Sequence, residues 1–299
     1  MFHDFYIECL VIIRKKHRVS YSMFPSPNLS NLVIEPYNMI LGMTALLDDA
    51  DLSILFDNEA LYKICSNQMD KESPNYADIN RMIAQALSTS FSSTRFNSSI
   101  NSNLSEMITN LVPYPRMHFM MPSYAPFGQR SQSQGASFST EDIANTAFNQ
   151  EAAMLSSNLK LDKYIACCVV YRGKVDLESA SNTVNRIKTL KQFRTVDWCP
   201  TGFKTGITYQ NPVNPKKPSE VGVLINSTNF ARIFEREAFK FDQLYAKRVF
   251  CHWYVGDGLD EGAFSEAREN LEASIKDYEK MNEFSEENDD ENWHVSSGQ

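Results

Sequence analysis

The side chains best suited to chemistry, histidine and cysteine, are scattered along this sequence. The five histidines lie far apart, and none has a second histidine or a cysteine three or four residues away to form a metal motif. This spacing favours packed or surface histidines over zinc ligands. None of the six cysteines belongs to a CxxC pair, which indicates reduced and mostly buried thiols of a cytosolic protein, not a disulfide framework.

Two further kinds of catalytic motif can be assessed from the residues. Cys199 lies in the segment WCPTG and could be a nucleophile, but the sequence places no histidine or basic group beside it, and buried cysteine is the commoner case. The phosphate-binding patterns GxxxxGK[ST] and GxGxxG are absent. Spacing alone therefore predicts no catalytic or metal site.

The charge of the chain is unevenly distributed. Its 299 residues carry a formal net charge of −8, and six acids without any Lys or Arg fall between positions 283 and 291. Such a block repels itself and forms either an interaction tail or a merely solubilising end. No basic stripe is present to neutralise phosphates, so nucleic acid is a poor partner. The apolar runs are too short for a membrane span, and the N-terminus lacks the pattern of a signal peptide.

The elements that must position any site follow a regular order in the first ninety residues. Residues 19–24 and 31–35 are predicted as strand and turn material, and the apolar run LSILF at 52–56 as a strand covered on both faces. Asp57 is placed to cap a helix, and a second helix follows Pro74. This β-α-β-α order predicts an open α/β sheet.

The pattern changes from about Phe96 onward. Asn103 with Glu106, and Ser139 with Asp142, have the spacing of capping boxes, which predicts helices up to Pro113 and about Leu155. The remaining predicted strands are 163–171, 196–198, 206–210 and 221–225, and the remaining predicted helices are 176–190, 228–248 and 264–281.

Several strings of residues resemble the tubulin family in collinear order. They are VIEPYN at 33–38, DNEA at 57–60, TNLVPYPR at 109–116, VDWCPTGFK at 196–204, YAKR at 245–248, HWYVG at 252–256 and FSEARE at 264–269. The resemblance extends from Met1 to about Tyr278. It is to the α type, because Glu106 stands where β-type chains carry Lys, and because of the strings WCPTG and YAKR.

The resemblance implies an α/β, tubulin-like fold with five parts. These are a partial GTP-binding domain with an open sheet at 1–72, a core helix at 73–95, an α+β intermediate domain at 96–226, a C-terminal helical hairpin at 227–281 and an acidic disordered tail at 282–299.

The resemblance also implies a guanine nucleotide site. Asn58 and Asn80 match the residues that hydrogen-bond the guanine, which suits an amide because it offers a donor and an acceptor. Tyr76 matches the aromatic residue that stacks on the base. Glu35 matches the acid that contacts the ribose, and Asn31 falls in the same sugar-side loop, where the family usually has Thr. Without the resemblance, Asn58 and Asn80 would be taken for helix-start or cap residues.

Glu106 resembles the catalytic glutamate that an α subunit presents to the GTP of the next β subunit. There it would position and deprotonate the attacking water. From its spacing alone Glu106 is a capping residue at the third helical position, and the two roles can coexist. Asn103 stands where α chains usually carry Asp, so one carboxylate of that loop is missing.

The N-terminal part of the family's nucleotide site is expected to lie outside the chain. The glycine-rich loop GGGTGSG would precede residue 1, together with the magnesium-binding strands, so we expect no Mg²⁺ site, no tight GTP binding and no GTPase activity in the isolated chain. LSILF would then lack parallel neighbours and leave an exposed, aggregation-prone edge. This favours the interpretation that the sequence is part of a longer protein over the alternative that the chain folds poorly alone.

The resemblance implies a structural subunit of the microtubule cytoskeleton in the cytoplasm. The expected partners are β-tubulin, and microtubule-associated proteins and motors that bind the C-terminal helices and the acidic tail. The loop at 128–137, which joins neighbouring filaments in the family, lacks an aromatic anchor here. The alternative is a non-polymerising chain that binds or sequesters β-tubulin or its chaperones; a free-standing GTPase is the third possibility.

Overall fold

The computed structural model describes residues 16–26, 28–29, 32–69, 71, 73–100, 103–127, 139–156, 163–189, 193–196, 198–199, 202–209 and 219–283. Within these residues seven strands form one mixed sheet in the order β1-β2-β4-β7-β5-β6-β3. The strands are β1 Val19–Phe24, β2 Leu52–Asp57, β3 Ser98–Ile100, β4 Phe119–Ala125, β5 Tyr164–Gly173, β6 Phe203–Thr208 and β7 Ser219–Ser227. The predicted α/β class is confirmed.

Helices connect the strands and cover the sheet. They are α1 Glu35–Asp49, α2 Asn58–Met69, α3 Tyr76–Ser90, α4 Ser92–Arg95, α5 Leu104–Leu111, α6 Thr140–Ala147, α7 Leu177–Thr189, α8 Phe230–Tyr245, α9 Cys251–Gly256 and α10 Gly262–Glu283, with a short 3-10 helix at Gln150–Ala152. Among the described residues, no helix has the length and apolar character needed to cross a membrane.

The sheet separates two hydrophobic cores. One core packs α1, α6, α7, α8 and α10 against one face, and the other packs α2, α3 and α5 against the opposite face. Strand β5 shows the alternation that this arrangement requires, since Cys167 lies in the first core and Cys168 in the second. The sequence therefore specifies helices on both faces of one sheet, as in open α/β folds.

The expectation that LSILF lacks neighbours is wrong. Strand β2 is paired in parallel with β1 along its whole length, from Val19 opposite Leu52 to Phe24 opposite Asp57. On its other side it pairs with β4 at two positions, Ser53 opposite Phe119 and Ile54 opposite Met120. All six of its residues are buried. On this side of the sheet the outermost strand among the described residues is β1, whose Tyr21 and Met23 are half exposed.

Two local predictions also need correction. Residues 31–35 were predicted as strand and turn, but Glu35 begins helix α1, with Pro36 in the first turn where proline is favoured. The capping box of Ser139 and Asp142 is confirmed, although helix α6 ends at Ala147, well before Leu155. The division into five parts stays a prediction. The loop at 128–137 and the tail beyond Glu283 lie outside the described residues.

Candidate functional site

The carboxyl ends of β1 and β2 form the first part of the candidate site. These strands are parallel, so Phe24 and Asp57 lie opposite each other at the same edge of the sheet. Ligands of open α/β sheets bind in the crevice outside this edge. The loop after β1 leads to Glu35 at the start of α1, and Asn58 begins α2 directly after β2.

A hydrogen-bond network joins the loop after β1 to the start of α2. Ser26 donates its hydroxyl to the buried carboxylate of Asp57, which also accepts the backbone N–H of Glu59 at 2.9 Å. Asn28 donates its backbone N–H and its side-chain amide to Glu59 at 3.1 and 3.0 Å. Asp57 therefore caps α2 as predicted, and the network fixes the loop before any ligand arrives.

Within this network Glu59 also forms an ion pair. Lys63, one turn further along α2, donates to its carboxylate at 2.7 Å. The hydrogen bonds from Lys63 and then from Asn28 lower the pKa of Glu59, and they outweigh the opposing effect of burial. Ser26, Asn28 and Glu59 were not predicted as site residues, because the contacts join positions 31 to 33 residues apart.

The start of α3 approaches α2 beside this edge. The hydroxyl of Tyr62 lies near that of Tyr76, and burial together with this neighbouring phenol raises the pKa of Tyr62. Asn58 lies four residues before Tyr62, and Asn80 lies four residues after Tyr76. Since residues four apart share one helix face, Asn58, Tyr76 and Asn80 fall within about one turn of the contact between the two tyrosines.

The predicted base and ribose residues are accessible. Tyr76 is 71% exposed, Asn80 is exposed, and Asn58 and Glu35 are half-buried. Asn31 lies outside the described residues. The structure therefore places Glu35 and Asn58 at one edge of the sheet, with Tyr76 and Asn80 on the adjacent helix. Their roles towards guanine and ribose stay predictions.

Glu106 belongs to a different part of the molecule. It lies in the first turn of α5, and its Oε2 accepts a hydrogen bond from Nζ of Lys204 on β6 at 2.8 Å. The predicted capping box is wrong, because the Asn103 side chain makes no cap hydrogen bond and the Glu106 carboxylate is engaged by Lys204 instead. Lys204 was missed because it is 98 residues away in the sequence.

An aromatic contact joins the segment after α5 to the segment before β6, and apolar side chains anchor α5 itself. Tyr114, in the segment after α5, and Trp198, in the segment before β6, make an edge-to-face contact with ring centroids 6.4 Å apart. Both rings remain about half exposed. On its inner side α5 is anchored by Met107 and Leu111, which are fully buried. Glu106 therefore projects from a short helix that is fixed at both ends.

The Glu106 carboxylate is remote from the predicted base-binding residues. Strand β6, which carries its partner Lys204, is separated from β2 by β4, β7 and β5. At the usual strand spacing this corresponds to roughly 19 Å. An exposed carboxylate of this kind can accept a proton from water, but within one chain it cannot reach a nucleotide held by Asn58 and Tyr76.

Comparison with known proteins agrees with this arrangement. Residues 7–66 match the model of the tubulin/FtsZ family GTPase domain, and residues 115–238 match that of the tubulin C-terminal domain. The chain is 45% identical over 273 residues to the tubulin alpha-3 chain of Zea mays, covering 89% of this chain and 61% of the relative. It is 44% identical over 285 residues to the tubulin alpha-2 chain of Eleusine indica, covering 93% and 64%.

The chain thus spans somewhat less than two-thirds of the length of these relatives. The first model covers the edge formed by β1 and β2, and the second covers Trp198 and Lys204, whereas Tyr76, Asn80 and Glu106 lie between the two matched ranges. From these matches and the two α-chain relatives, the chain belongs to the tubulin family and is of the α type.

Proposed function

We propose that the chain is an α-type structural subunit of microtubules that pairs with β-tubulin and contributes Glu106 to hydrolysis of the GTP held by the next subunit. The observation that carries this proposal is the position of Glu106: its side chain is 48% exposed, fixed by Lys204, and remote from the chain's own base-binding residues. The relatives support the structural role, since both are named tubulin alpha chains.

End-to-end stacking of subunits explains how such a carboxylate would act. A general base must lie within hydrogen-bond reach of the water that it activates. The roughly 19 Å estimated from the strand spacing excludes this within one molecule, whereas a neighbour docked on the surface of α5 can bring its nucleotide to Glu106. Phosphoryl transfer to water depends largely on such positioning. The exposed rings of Tyr114, after α5, and Trp198, before β6, suit this surface to a protein contact.

The chain's own guanine site would use the residues at the starts of α1, α2 and α3. The exposed ring of Tyr76 offers a stacking surface, and the amides of Asn58 and Asn80 offer both donors and acceptors to a purine edge. Glu35 is placed for the ribose, with Asn31 expected in the same loop. GTP is the nucleotide that these residues would hold, through its guanine and its ribose. We assign no residue of this chain to magnesium.

The other interactions follow from the outer helices. Helices α8 and α10 and the acidic segment after Glu283 would contact microtubule-associated proteins and motors, in the cytoplasm and on the cytoskeleton. Helix α10 carries an ion-paired surface, where Arg268 binds Asp242 at 3.0 Å and Glu272 at 2.8 Å. This pairing fixes α10 on α8 and leaves a stable face for partners.

Co-sedimentation tests the proposal. The chain is co-expressed with β-tubulin, and the complex is polymerised with GTP and pelleted. We expect the chain in the pellet at a constant ratio to β-tubulin over repeated cycles of assembly. Recovery only as a monomer or aggregate would refute the subunit role. Dose-dependent slowing of polymerisation, with the chain left in the supernatant, would support the non-polymerising alternative instead.

Glu106 is tested in the same system. We expect Glu106→Gln to leave the chain in the polymer and to slow GTP hydrolysis at least about 100-fold, as loss of a general base does. The matched control is Glu178→Gln on the exposed face of α7, which should hydrolyse GTP at the original rate. Equal rates for Glu106→Gln and the original chain would refute the catalytic part of the proposal.

A further inference from the structure

The ion pair between Glu106 and Lys204 engages only one of the two carboxylate oxygens. Lys204 Nζ donates to Oε2 at 2.8 Å, and among the described residues no donor binds Oε1. The lysine side chain is 23% exposed and the glutamate side chain 48% exposed. One oxygen is therefore held against β6, and the other is open to solvent.

Lys204 is itself well fixed. It lies within β6, paired with Cys168 of the buried strand β5, and the residues next to it are part of the same ladder. Helix α5, on the other side of the ion pair, is held by the buried side chains of Met107 and Leu111. The position of the carboxylate is thus determined from two rigid elements.

We propose that Lys204 is the positioning residue for Glu106, holding Oε2 so that Oε1 points outward to the water that attacks the neighbour's nucleotide. This inference rests on the catalytic role proposed above. A glutamate side chain whose carboxylate is not held by a hydrogen bond samples many rotamers. Only a few of these rotamers direct an oxygen at a given water. Fixing one oxygen raises the fraction of time spent in the productive orientation, which is how positioning contributes to catalysis. Lys204 itself touches neither the water nor the phosphate and acts only through Glu106.

Variants of Lys204 test this in polymers of the full chain with β-tubulin. We measure the hydrolysis rate after assembly and, separately, the critical concentration for assembly. Lys204→Met should slow hydrolysis about tenfold, with the critical concentration unchanged within about twofold. Lys204→Arg should recover the rate to within about threefold, because the guanidinium still donates to the carboxylate. Lys188→Met is the matched control, since Lys188 lies over the ring of Phe203, the residue next to Lys204, and should not alter the rate.

The double variant separates positioning from direct action on the phosphate. If Lys204 acts only through Glu106, Lys204→Met combined with Glu106→Gln should be no slower than Glu106→Gln alone. A slower double variant would mean that the lysine contacts the phosphate itself, and would overturn the inference. Should Lys204→Met fail to assemble, Lys204→Leu provides the same comparison with another side chain that has no donor.

The outcomes also distinguish this inference from the proposed function. A normal rate for Lys204→Met, with Glu106→Gln still slow, would overturn the positioning role alone. A normal rate for Glu106→Gln would overturn the catalytic role on which it rests. Slow hydrolysis in Lys204→Met without rescue by Lys204→Arg would show that the lysine has a different function.

Discussion

Asn226 on β7 donates its side-chain amide to the backbone oxygen of Leu111, the last residue of α5, at 2.9 Å. The same amide donates to the backbone oxygen of Met117 at 2.8 Å. Asn226 is fully buried, so these bonds satisfy two carbonyl groups that water cannot reach. These bonds attach the C-terminal end of α5 to β7, the central strand of the sheet. The first turn of the same helix carries Glu106.

Replacement of Asn226 should therefore destabilise the chain strongly. We expect Asn226→Leu to lower the free energy of unfolding by about 2–4 kcal/mol, since two buried carbonyl groups lose their donors. Asn226→Asp should cost at least as much, because it places a carboxylate against the same carbonyls. Urea unfolding followed by circular dichroism measures the change. A loss below about 0.5 kcal/mol for both variants would contradict the role given to this side chain.

Asp57 should contribute to stability through the cap of α2. Asp57→Ala removes the acceptor of the Glu59 N–H and of the Ser26 hydroxyl, and we expect a loss of about 2 kcal/mol. Asp57→Asn keeps an acceptor and should lose less. The control is Asp48→Ala on the exposed side of α1, which should change the unfolding midpoint little. Equal midpoints for Asp57→Ala and Asp48→Ala would refute the capping role.

Local patterns were sufficient for the elements of the fold, but not for how they are paired. LSILF was correctly predicted as a buried strand because a continuous apolar run needs cover on both faces. Its neighbours were not, because one of them, β4, lies far along the chain at Phe119–Ala125, and pairing with it covers only two positions. Helix α1 was missed because the extended interpretation of residues 31–35 was carried as far as Glu35, although Pro36 marks a helix start.

The candidate site shows the same limit. Asn58, Tyr76, Asn80, Glu35 and Glu106 were named from the resemblance, and spacing alone indicated only caps. The capping box of Asn103 and Glu106 fits the sequence rule but fails in the structure, because an amine 98 residues away competes for the same carboxylate. Such a tertiary contact leaves no local signal, whereas the box of Ser139 and Asp142 forms because its residues depend only on each other.

Glu59 should make stability depend on pH in the acid range. Its folded-state pKa is lowered below the ordinary value of 4.5 by Lys63 and Asn28, so the folded state favours the ionised form. The contribution is complete at neutral pH and is lost as the pH falls below about 4.5 towards the folded-state pKa. Glu59→Gln should cost about 1 kcal/mol at pH 7, and the difference from the original chain should shrink at pH 4 and below. Urea midpoints across this range measure it.

The control for Glu59 is Glu178 on the exposed face of α7. Glu178→Gln should change the urea midpoint little. A difference for Glu59→Gln that stays constant from pH 7 to pH 3.5 would contradict the lowered pKa.

Tyr76 should contribute to guanine binding through its ring, not its hydroxyl. The ring is largely exposed, while the hydroxyl lies near that of Tyr62. Stacking of a base on an aromatic side chain contributes about 1–3 kcal/mol, so Tyr76→Ala should weaken binding of GDP about 5- to 150-fold in an equilibrium titration of the chain in complex with β-tubulin. Tyr76→Phe keeps the ring and loses only the contact with Tyr62, and its affinity should stay within about threefold of the original. If Tyr76→Phe weakened binding as much as Tyr76→Ala, the hydroxyl contact between α2 and α3 would be the important feature, and the ring would not be the surface on which the base lies.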